Sequence, residues 1–367
     1  MISLLAFVII ILLIIQDLIL NLLLTFNFKS YIQPREVRFP KISILIPARN
    51  EAHNLPSCLE ALDQLRYPKD SLQIILGNDN SEDSTGDILK DWSKKRSNVS
   101  YLEIVGAPNN KMNGKANALN QMCEEASGDL YLFTDADCQI GPEWASSMVE
   151  AWNKQKPGVV TGITTVFEKG VFARFQALDW WLTLGMVKIM DDLGIAVTSM
   201  GNNMLISRSA YNAVGGFAGI PFSLTEDFEM AKQVKKNGFD CIHLVGPKNL
   251  ILTKGQVSFE DLMAQRKRWM SGAMALPWVW KLLLGLQVFF FPAMLYFVFL
   301  FPFEGIFIWL MKVLIQGLFI YRFAFKTGIK LKWHDLLLFE IYYALISWST
   351  IVYYFWPSKT KWKGRKY

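Results

Sequence analysis

Two aspartates one residue apart, Asp135 and Asp137, close an apolar run of strand length at residues 130–134. Side chains two apart on an extended backbone point the same way, so the pair can address one point beyond the strand end. Open parallel sheets bind their ligands at the carboxyl ends of strands. Two hard oxygen ligands there suit Mg²⁺ or Mn²⁺, which are held by one or two carboxylates together with substrate phosphates. The same residues also read as a strand running into an Asp-rich turn. Further polar groups stand at Asn78-Asp79-Asn80-Ser81, Gly114-Lys115-Ala116, Thr225-Glu226-Asp227 and Gln265-Arg266-Lys267-Arg268-Trp269. In the last of these Gln265, Arg268 and Trp269 fall at i, i+3 and i+4, on one helical face. Cys58, Cys123, Cys138 and Cys241 lack metal-ligand spacing and read as reduced thiols. With only His53, His243 and His334, a histidine metal site is not expected.

Short apolar runs must position these groups. Pro34 and Pro40 break the chain before residues 42–46, a β-rich run that ends at Pro47. Ala48-Arg49-Asn50-Glu51 then turns into a helix expected through about Leu65. Residues 72–76 make the next strand, and the polar cluster at 78–85 combines loop and helix N-cap. A third strand is expected at 101–105, a helix from Gly114 and a fourth strand at 130–134. Strand, loop and helix alternate as in a doubly wound α/β domain. Beyond it, 159–166 reads as one strand and Gly215-Gly216 as a turn. Residues 172–190 read as a helix, either core or interfacial. Residues 227–236 make a helix begun by Thr225-Glu226, where acidic side chains favour the positive end of the dipole.

Hydrophobic residues make up 52% of the 367 and charged residues only 19%, which leans towards the membrane. Residues 2–28 are nearly continuous Leu, Ile and Phe, long enough to cross a hydrocarbon core of about 30 Å. Asp17 interrupts the run at a cost of roughly 3 kcal/mol, which about twenty apolar residues at roughly −0.5 kcal/mol each outweigh. Asp17 is expected to face neighbouring helices. No basic residue precedes the run and no small-residue cleavage site ends it, so an anchor is expected rather than a signal peptide. Lys29, Arg35, Arg38 and Lys41 follow, which puts the middle of the chain in the cytoplasm by positive-inside logic. Residues 282–325 read as two spans with a turn at Pro302, and 336–356 as a further span. Gln287 and Glu340 are the polar residues noted in residues 282–301 and 336–356, a lining that suits lipid contact better than a sugar channel. Arg322, Lys326, Lys330 and Lys332 mark the loop between spans as cytoplasmic. Of the formal +6, five charges lie at Lys359, Lys361, Lys363, Arg365 and Lys366, a juxtamembrane anchor rather than a nucleic-acid surface. Three spans from the cytoplasm would put that tail outside, so one apolar segment is expected to lie in the interface or re-enter.

Taken in order, these motifs resemble the family-2 glycosyltransferases of GT-A fold, particularly the membrane-integrated branch related to ceramide and carotenoid glucosyltransferases and to processive polysaccharide synthases. The series runs Ile46-Pro47-Ala48-Arg49-Asn50-Glu51, Asn78-Asp79-Asn80-Ser81, Gly114-Lys115-Ala116, Asp135-Ala136-Asp137, Thr225-Glu226-Asp227 and Gln265-Arg266-Lys267-Arg268-Trp269. The resemblance covers about residues 41–269. It implies a Rossmann-like, mostly parallel α/β domain flanked by helical spans. By it Pro47, Arg49, Glu51, Asp79, Lys115, Asp135 and Gln265 bind the nucleotide donor. Asp137 and Asp135 hold Mg²⁺ or Mn²⁺, with Asp137 the direct ligand. Asp227 is the general base with Glu226 beside it, and Arg268 faces the leaving diphosphate. Trp269 and, through the loosely matching loop Gly201-Asn202-Asn203, Asn202 meet the acceptor. The family's second strand usually ends in two acids, and here the first is Asn78.

The expected organisation is an anchor at 1–28, a GT-A domain at 29–254, interfacial helices at 255–281, spans at 282–358 and a basic tail at 359–367. The expected function is inverting transfer of a sugar from a nucleotide-diphosphate donor, a UDP-sugar, to a lipid or lipid-linked hydroxyl. The rivals are a processive polysaccharide synthase and a non-catalytic nucleotide-sugar-binding membrane protein. The protein is expected to be integral to the cell (inner) membrane, with no nucleic-acid partner.

Overall fold

The structure is a computed structural model that describes residues 2–31, 38–106, 112–195, 198–358 and 361–366. Pro34, Arg35 and Lys359 lie outside the described residues. The chain opens with α1 (Ile2–Phe26), then β1 (Ile42–Ala48), α2 (Leu55–Asp63), β2 (Leu72–Asn78), α3 (Thr85–Ser93) and β3 (Val99–Glu103). There follow α4 (Gly114–Glu124), β4 (Leu130–Phe133), β5 (Cys138–Gln139), α5 (Trp144–Gln155), β6 (Val159–Thr161), β7 (Ile163–Val166) and α6 (Val171–Asp192). Next come β8 (Met204–Ser207), α7 (Arg208–Ala213), α8 (Gly216–Gly219), α9 (Glu226–Lys236), β9 (Cys241–His243) and β10 (Leu250–Thr253). The chain closes with α10 (Phe259–Ala273), α11 (Trp278–Leu300), α12 (Pro302–Phe325), α13 (Trp333–Phe355), β11 (Lys361–Trp362) and β12 (Arg365–Lys366). It divides into two compact units: Lys29–Phe167 with Met190–Lys254, and Met1–Phe28 with Glu168–Ile189 and Gly255–Tyr367.

The first unit is α/β. Its main sheet has the order β3-β2-β1-β4-β8-β6-β9, with β8 antiparallel to both its neighbours and the other pairs parallel. The left-hand strands read as apolar runs because both faces are covered. Ile42, Ile44, Ile46, Ile74, Leu76 and Leu132 pack with α2, α3 and α5, while Leu45, Ile75, Tyr131 and Phe133 pack with α4 and α8. β1 continues through Pro47, where the sequence suggested it stops. Its pairing with β4 ends at Leu45, and Ala48 directs its carbonyl to β2, so the missing N–H of Pro47 removes no ladder bond. Residues 159–166 are two strands, not one. Gly162 separates β6 in the main sheet from β7 in the small sheet β5-β10-β7, because the carboxamide of Asn203 occupies the space where a Cβ would stand.

The second unit is helical. α1, α11, α12 and α13 are each long and apolar enough to cross a membrane. Ala6, Ile10 and Leu13 of α1 pack on Phe290, Phe291, Met294 and Phe297 of α11. Gln287 and Glu340 are not isolated, as the sequence suggested. Glu340 accepts from Lys312 at 2.5 Å, Lys312 also bonds Gln316, and Tyr343 donates to Gln287 at 2.6 Å. Asp17 lines the same small cavity and is 7% exposed.

Candidate active site

The loops after β1 and β2 form the first wall of the site, at the carboxyl edge where the sheet order reverses. Asp79 N–H bonds the Ala48 carbonyl at 2.8 Å, and Arg49 Nη1 donates to the Asp79 carbonyl at 2.9 Å. Asn50 adopts φ 52°, a left-handed conformation that asparagine tolerates. There its N–H reaches Ser81 Oγ at 3.1 Å and its Oδ1 takes the Glu82 N–H at 2.8 Å. Glu51 N–H bonds Thr85 Oγ1 at 2.7 Å, and the Glu51 carboxylate accepts from Asn54 at 2.6 Å. Asp79 is 5% exposed. Asn78 turns towards β3, donating to Glu103 Oε1 at 2.7 Å, so a carboxylate from the next strand stands beside the position where the family's first acid would be.

The second wall is the end of β4. Asp135 forms an ion pair with Lys115, which sits in the first turn of α4. Burial acts to lower the Lys115 pKa, but Asp135, Glu226 and Asp227 outweigh it and hold the ammonium above its ordinary value. Asp137 is half-buried and accepts from the Cys138 thiol at 3.4 Å. Burial, then Asp137 and Asp135, push that thiol well above its usual range, and the same causes with Glu51 push Cys58 up to about 12. Both sulfurs therefore stay protonated. Asn202 donates to Cys138 Sγ at 3.5 Å and accepts from Thr164 at 3.1 Å.

The third wall is the start of α9, whose N-cap is Thr225. Asp227 Oδ2 accepts the Gly201 N–H at 2.7 Å and Oδ1 accepts the Phe228 N–H at 2.8 Å. A Cβ at Gly201 would lie 3.0 Å from both Asp227 Oδ2 and its Cβ, so any larger residue presses on this carboxylate. Glu226 is buried and accepts from Asn113 at 2.8 Å. Asn113 also caps α4 by accepting the Ala116 N–H at 2.8 Å, and it donates to the Ser223 carbonyl at 2.7 Å. One carboxamide thus joins the helix that carries Lys115 to the loop that carries Glu226 and Asp227. Sequence reading passed over Asn113; its signal is an asparagine directly before a helix start.

Among the described residues no group of three or more His, Cys, Asp or Glu is arranged to hold a metal ion by itself. The donor set still fits a hard cation. The available atoms at the end of β4 are carboxylate oxygens, the neighbouring thiols are protonated, and Mg²⁺ and Mn²⁺ use one or two carboxylates plus phosphate oxygens.

Gln265, Arg268 and Trp269 lie on α10, in the helical unit. There Trp269 meets Trp180 edge-on with ring centres 5.4 Å apart, and the Arg266 guanidinium lies 5.4 Å from the Trp269 ring. Arg266 pairs with Asp179 and is lowered by burial. The remaining expected site residues, Pro47, Arg49, Glu51, Asp79, Lys115, Asp135, Asp137, Asn202, Glu226 and Asp227, all belong to the α/β unit.

Known proteins resemble this chain in sequence and in fold. A probable glycosyltransferase of Bacillus subtilis, YdaM, is 32% identical over 243 residues, which is 64% of this chain and 55% of that protein. The poly-beta-1,6-N-acetyl-D-glucosamine synthase of Staphylococcus epidermidis is 28% identical over 67% of this chain and 58% of its own length. The beta-monoglucosyldiacylglycerol synthase of Trichormus variabilis is 24% identical over 66% of this chain and 51% of its own. The chain thus spans about half the length of these curated relatives. The solved mannosyltransferase PcManGT of Pyrobaculum calidifontis, in complex with GDP-Man and Mn²⁺, matches with a TM-score of 0.60 at 15% identity, over 97% of this chain and 99% of that one. The fold is GT-A-like, as expected. The sequence profile described as glycosyl transferase family 21 matches residues 4–367. The chain belongs to glycosyltransferase family 21.

Proposed function

We propose that the protein is an inverting glycosyltransferase of the membrane that moves a sugar from a UDP-sugar to a lipid or lipid-linked hydroxyl on the cytoplasmic side. The observation that carries the reading is the shared neighbourhood of Lys115, where the acid at the end of β4 and the two at the start of α9 converge. A pure binder has no need of Asp227. In the proposed reaction Asp227 takes the proton of the acceptor hydroxyl, whose oxygen bonds the anomeric carbon as the bond from that carbon to the diphosphate oxygen breaks. Attack opposite the leaving group inverts the configuration. Lys115 offsets charge on the departing phosphates, and Arg268 has the planar fork suited to the same task. Asp79 reads the imide N–H of the base. A divalent cation held by Asp137 with Asp135 would stabilise the negative charge that develops on the diphosphate. Trp269 and Asn202 are assigned to the acceptor.

Purified full-length protein in nanodiscs, given labelled UDP- and GDP-sugars in turn with a lipid extract, tests this. The expected result is a glycolipid of inverted anomeric configuration from a UDP-sugar. Donor binding with neither transfer nor hydrolysis would favour the non-catalytic reading.

A further inference from the structure

One lysine of the α/β unit, Lys254, follows β10 directly, and its backbone is held from both sides. Thr253, the last residue of β10, pairs with Cys138 of β5 and with Val166 of β7, and its carbonyl accepts the Phe167 N–H at 3.0 Å. The antiparallel register with β5 sets Leu252 against Gln139 and Thr253 against Cys138, so its next step brings Lys254 level with Asp137. Residues opposed in this way on neighbouring strands have Cβ atoms about 5 Å apart. The half-buried Lys254 side chain turns to the loop after β1, where its Nζ donates to Asn54 Oδ1 at 2.6 Å. Asn54 in turn donates to Glu51 Oε2 at 2.6 Å.

The ammonium therefore stands where the first and second walls of the site meet. Asn54 is the N-cap of α2, one turn before Cys58, whose thiol points to the Asp135 carbonyl at 3.8 Å and feels the charges of Asp137, Asp135 and Glu51. Among the described residues the Lys254 ammonium bonds only this neutral carboxamide and pairs with no carboxylate. Two of its three N–H groups are left for a further acceptor. Lys115 is in the opposite position, its single charge shared by Asp135, Glu226 and Asp227. A nucleotide diphosphate brings more negative charge to these acids, and a half-buried ammonium without a counter-ion is suited to offset it. The flexible four-carbon stem lets Nζ exchange Asn54 for a phosphate oxygen while the strand stays fixed.

We propose that Lys254 is a second cation for the donor diphosphate, leaving Asn54 for a phosphate oxygen when the nucleotide binds. The proposal rests on the reading of this site as one for a nucleotide-diphosphate sugar, and the test separates the two. Binding of UDP and of GDP to the full-length protein in nanodiscs, with Mn²⁺ present, is measured by calorimetry. The unsubstituted protein is compared with Lys254→Gln and Lys254→Arg, and the unfolding temperature of each is recorded. Gln keeps a hydrogen-bond donor and loses the charge, whereas Arg keeps the charge. For the nucleotide that binds, the expected result is a loss of affinity of roughly tenfold in Lys254→Gln, with little loss in Lys254→Arg and little change in unfolding temperature. Affinity should also fall more steeply with added salt in the unsubstituted protein than in Lys254→Gln. Equal affinity in Lys254→Gln and the unsubstituted protein overturns the proposal and leaves the lysine as a tie between β10 and α2. An equal loss in both variants together with a lower unfolding temperature does the same. Failure of the unsubstituted protein to bind either nucleotide overturns the donor reading, and the proposal with it.

Discussion

A carboxylate that accepts two backbone N–H bonds keeps lone pairs for a proton, and Asp227 is held in this way by Gly201 and Phe228. A capping position and a catalytic one coincide there. Asp227→Asn keeps the size of the side chain and removes its basicity. The expected outcome is a fall in kcat of roughly 10²–10⁴-fold with donor affinity by calorimetry unchanged, because a base acts only in the transition state. Loss of donor binding with full turnover at saturation would reassign the residue. At the end of β4 the two acids are unequal, since Asp135 already shares its charge with Lys115. Asp137→Asn is therefore expected to abolish stimulation by Mn²⁺, read as rate against added cation. Undiminished activity of the unsubstituted protein in a chelator would remove the metal from the scheme. Asn113→Ala strips a helix cap, typically about 1 kcal/mol, and the hydrogen bond to Glu226. It is expected to lower kcat together with thermal stability. Gln and Asp at this position then separate the parts: Asp keeps the cap but repels Glu226, and so should recover stability more than rate.

At the scale of elements, strands buried on both faces announce themselves as apolar runs, which is why the left half of the sheet was legible within a residue or two. Gly162 shows the limit. One run of β-rich residues serves two sheets, and what divides it is the carboxamide of Asn203, which is 41 positions further on and folded beneath it. Motif order placed Lys115, Asp135 and Asp227 in one chain, but nothing local reveals that three acids share one ammonium. In the helices, Lys312 was hidden inside an apolar stretch because periodicity cannot show a partner on another helix. It lies against Glu340 with both side chains buried. Removing one member of such a pair leaves the other charged and uncompensated, at a cost on the order of 3–5 kcal/mol. Lys312→Met is expected to lower the unfolding temperature in detergent strongly, and Lys312→Met with Glu340→Gln to recover most of the loss. A double variant no more stable than the single one would show that the pair is not coupled.

For the whole molecule, the proposed lipid acceptor and its rival, a growing polysaccharide, make different demands on the helical unit. A chain that extrudes a hydrated glycan needs a polar path wide enough for a sugar ring. The helical unit does gather polar groups, more than the sequence suggested: Asp17, Gln287, Lys312, Gln316 and Tyr343 face one cavity. Its volume of about 20 Å³ admits a single water and no sugar. Its polar groups also bond one another, Lys312 to Gln316 and Glu340 and Tyr343 to Gln287, which closes the space between helices. The outer faces of α1, α11 and α12 carry exposed Leu, Ile and Phe, the surface that lipid covers. An acceptor that already resides in the bilayer needs no conduit, because only its hydroxyl must reach the base. The expected product of purified protein with nucleotide sugar and a lipid extract is therefore one or a few sugars on a lipid, partitioning into organic solvent. Omission of the lipid should stop sugar transfer. A long water-soluble polymer formed from nucleotide sugar alone would overturn this.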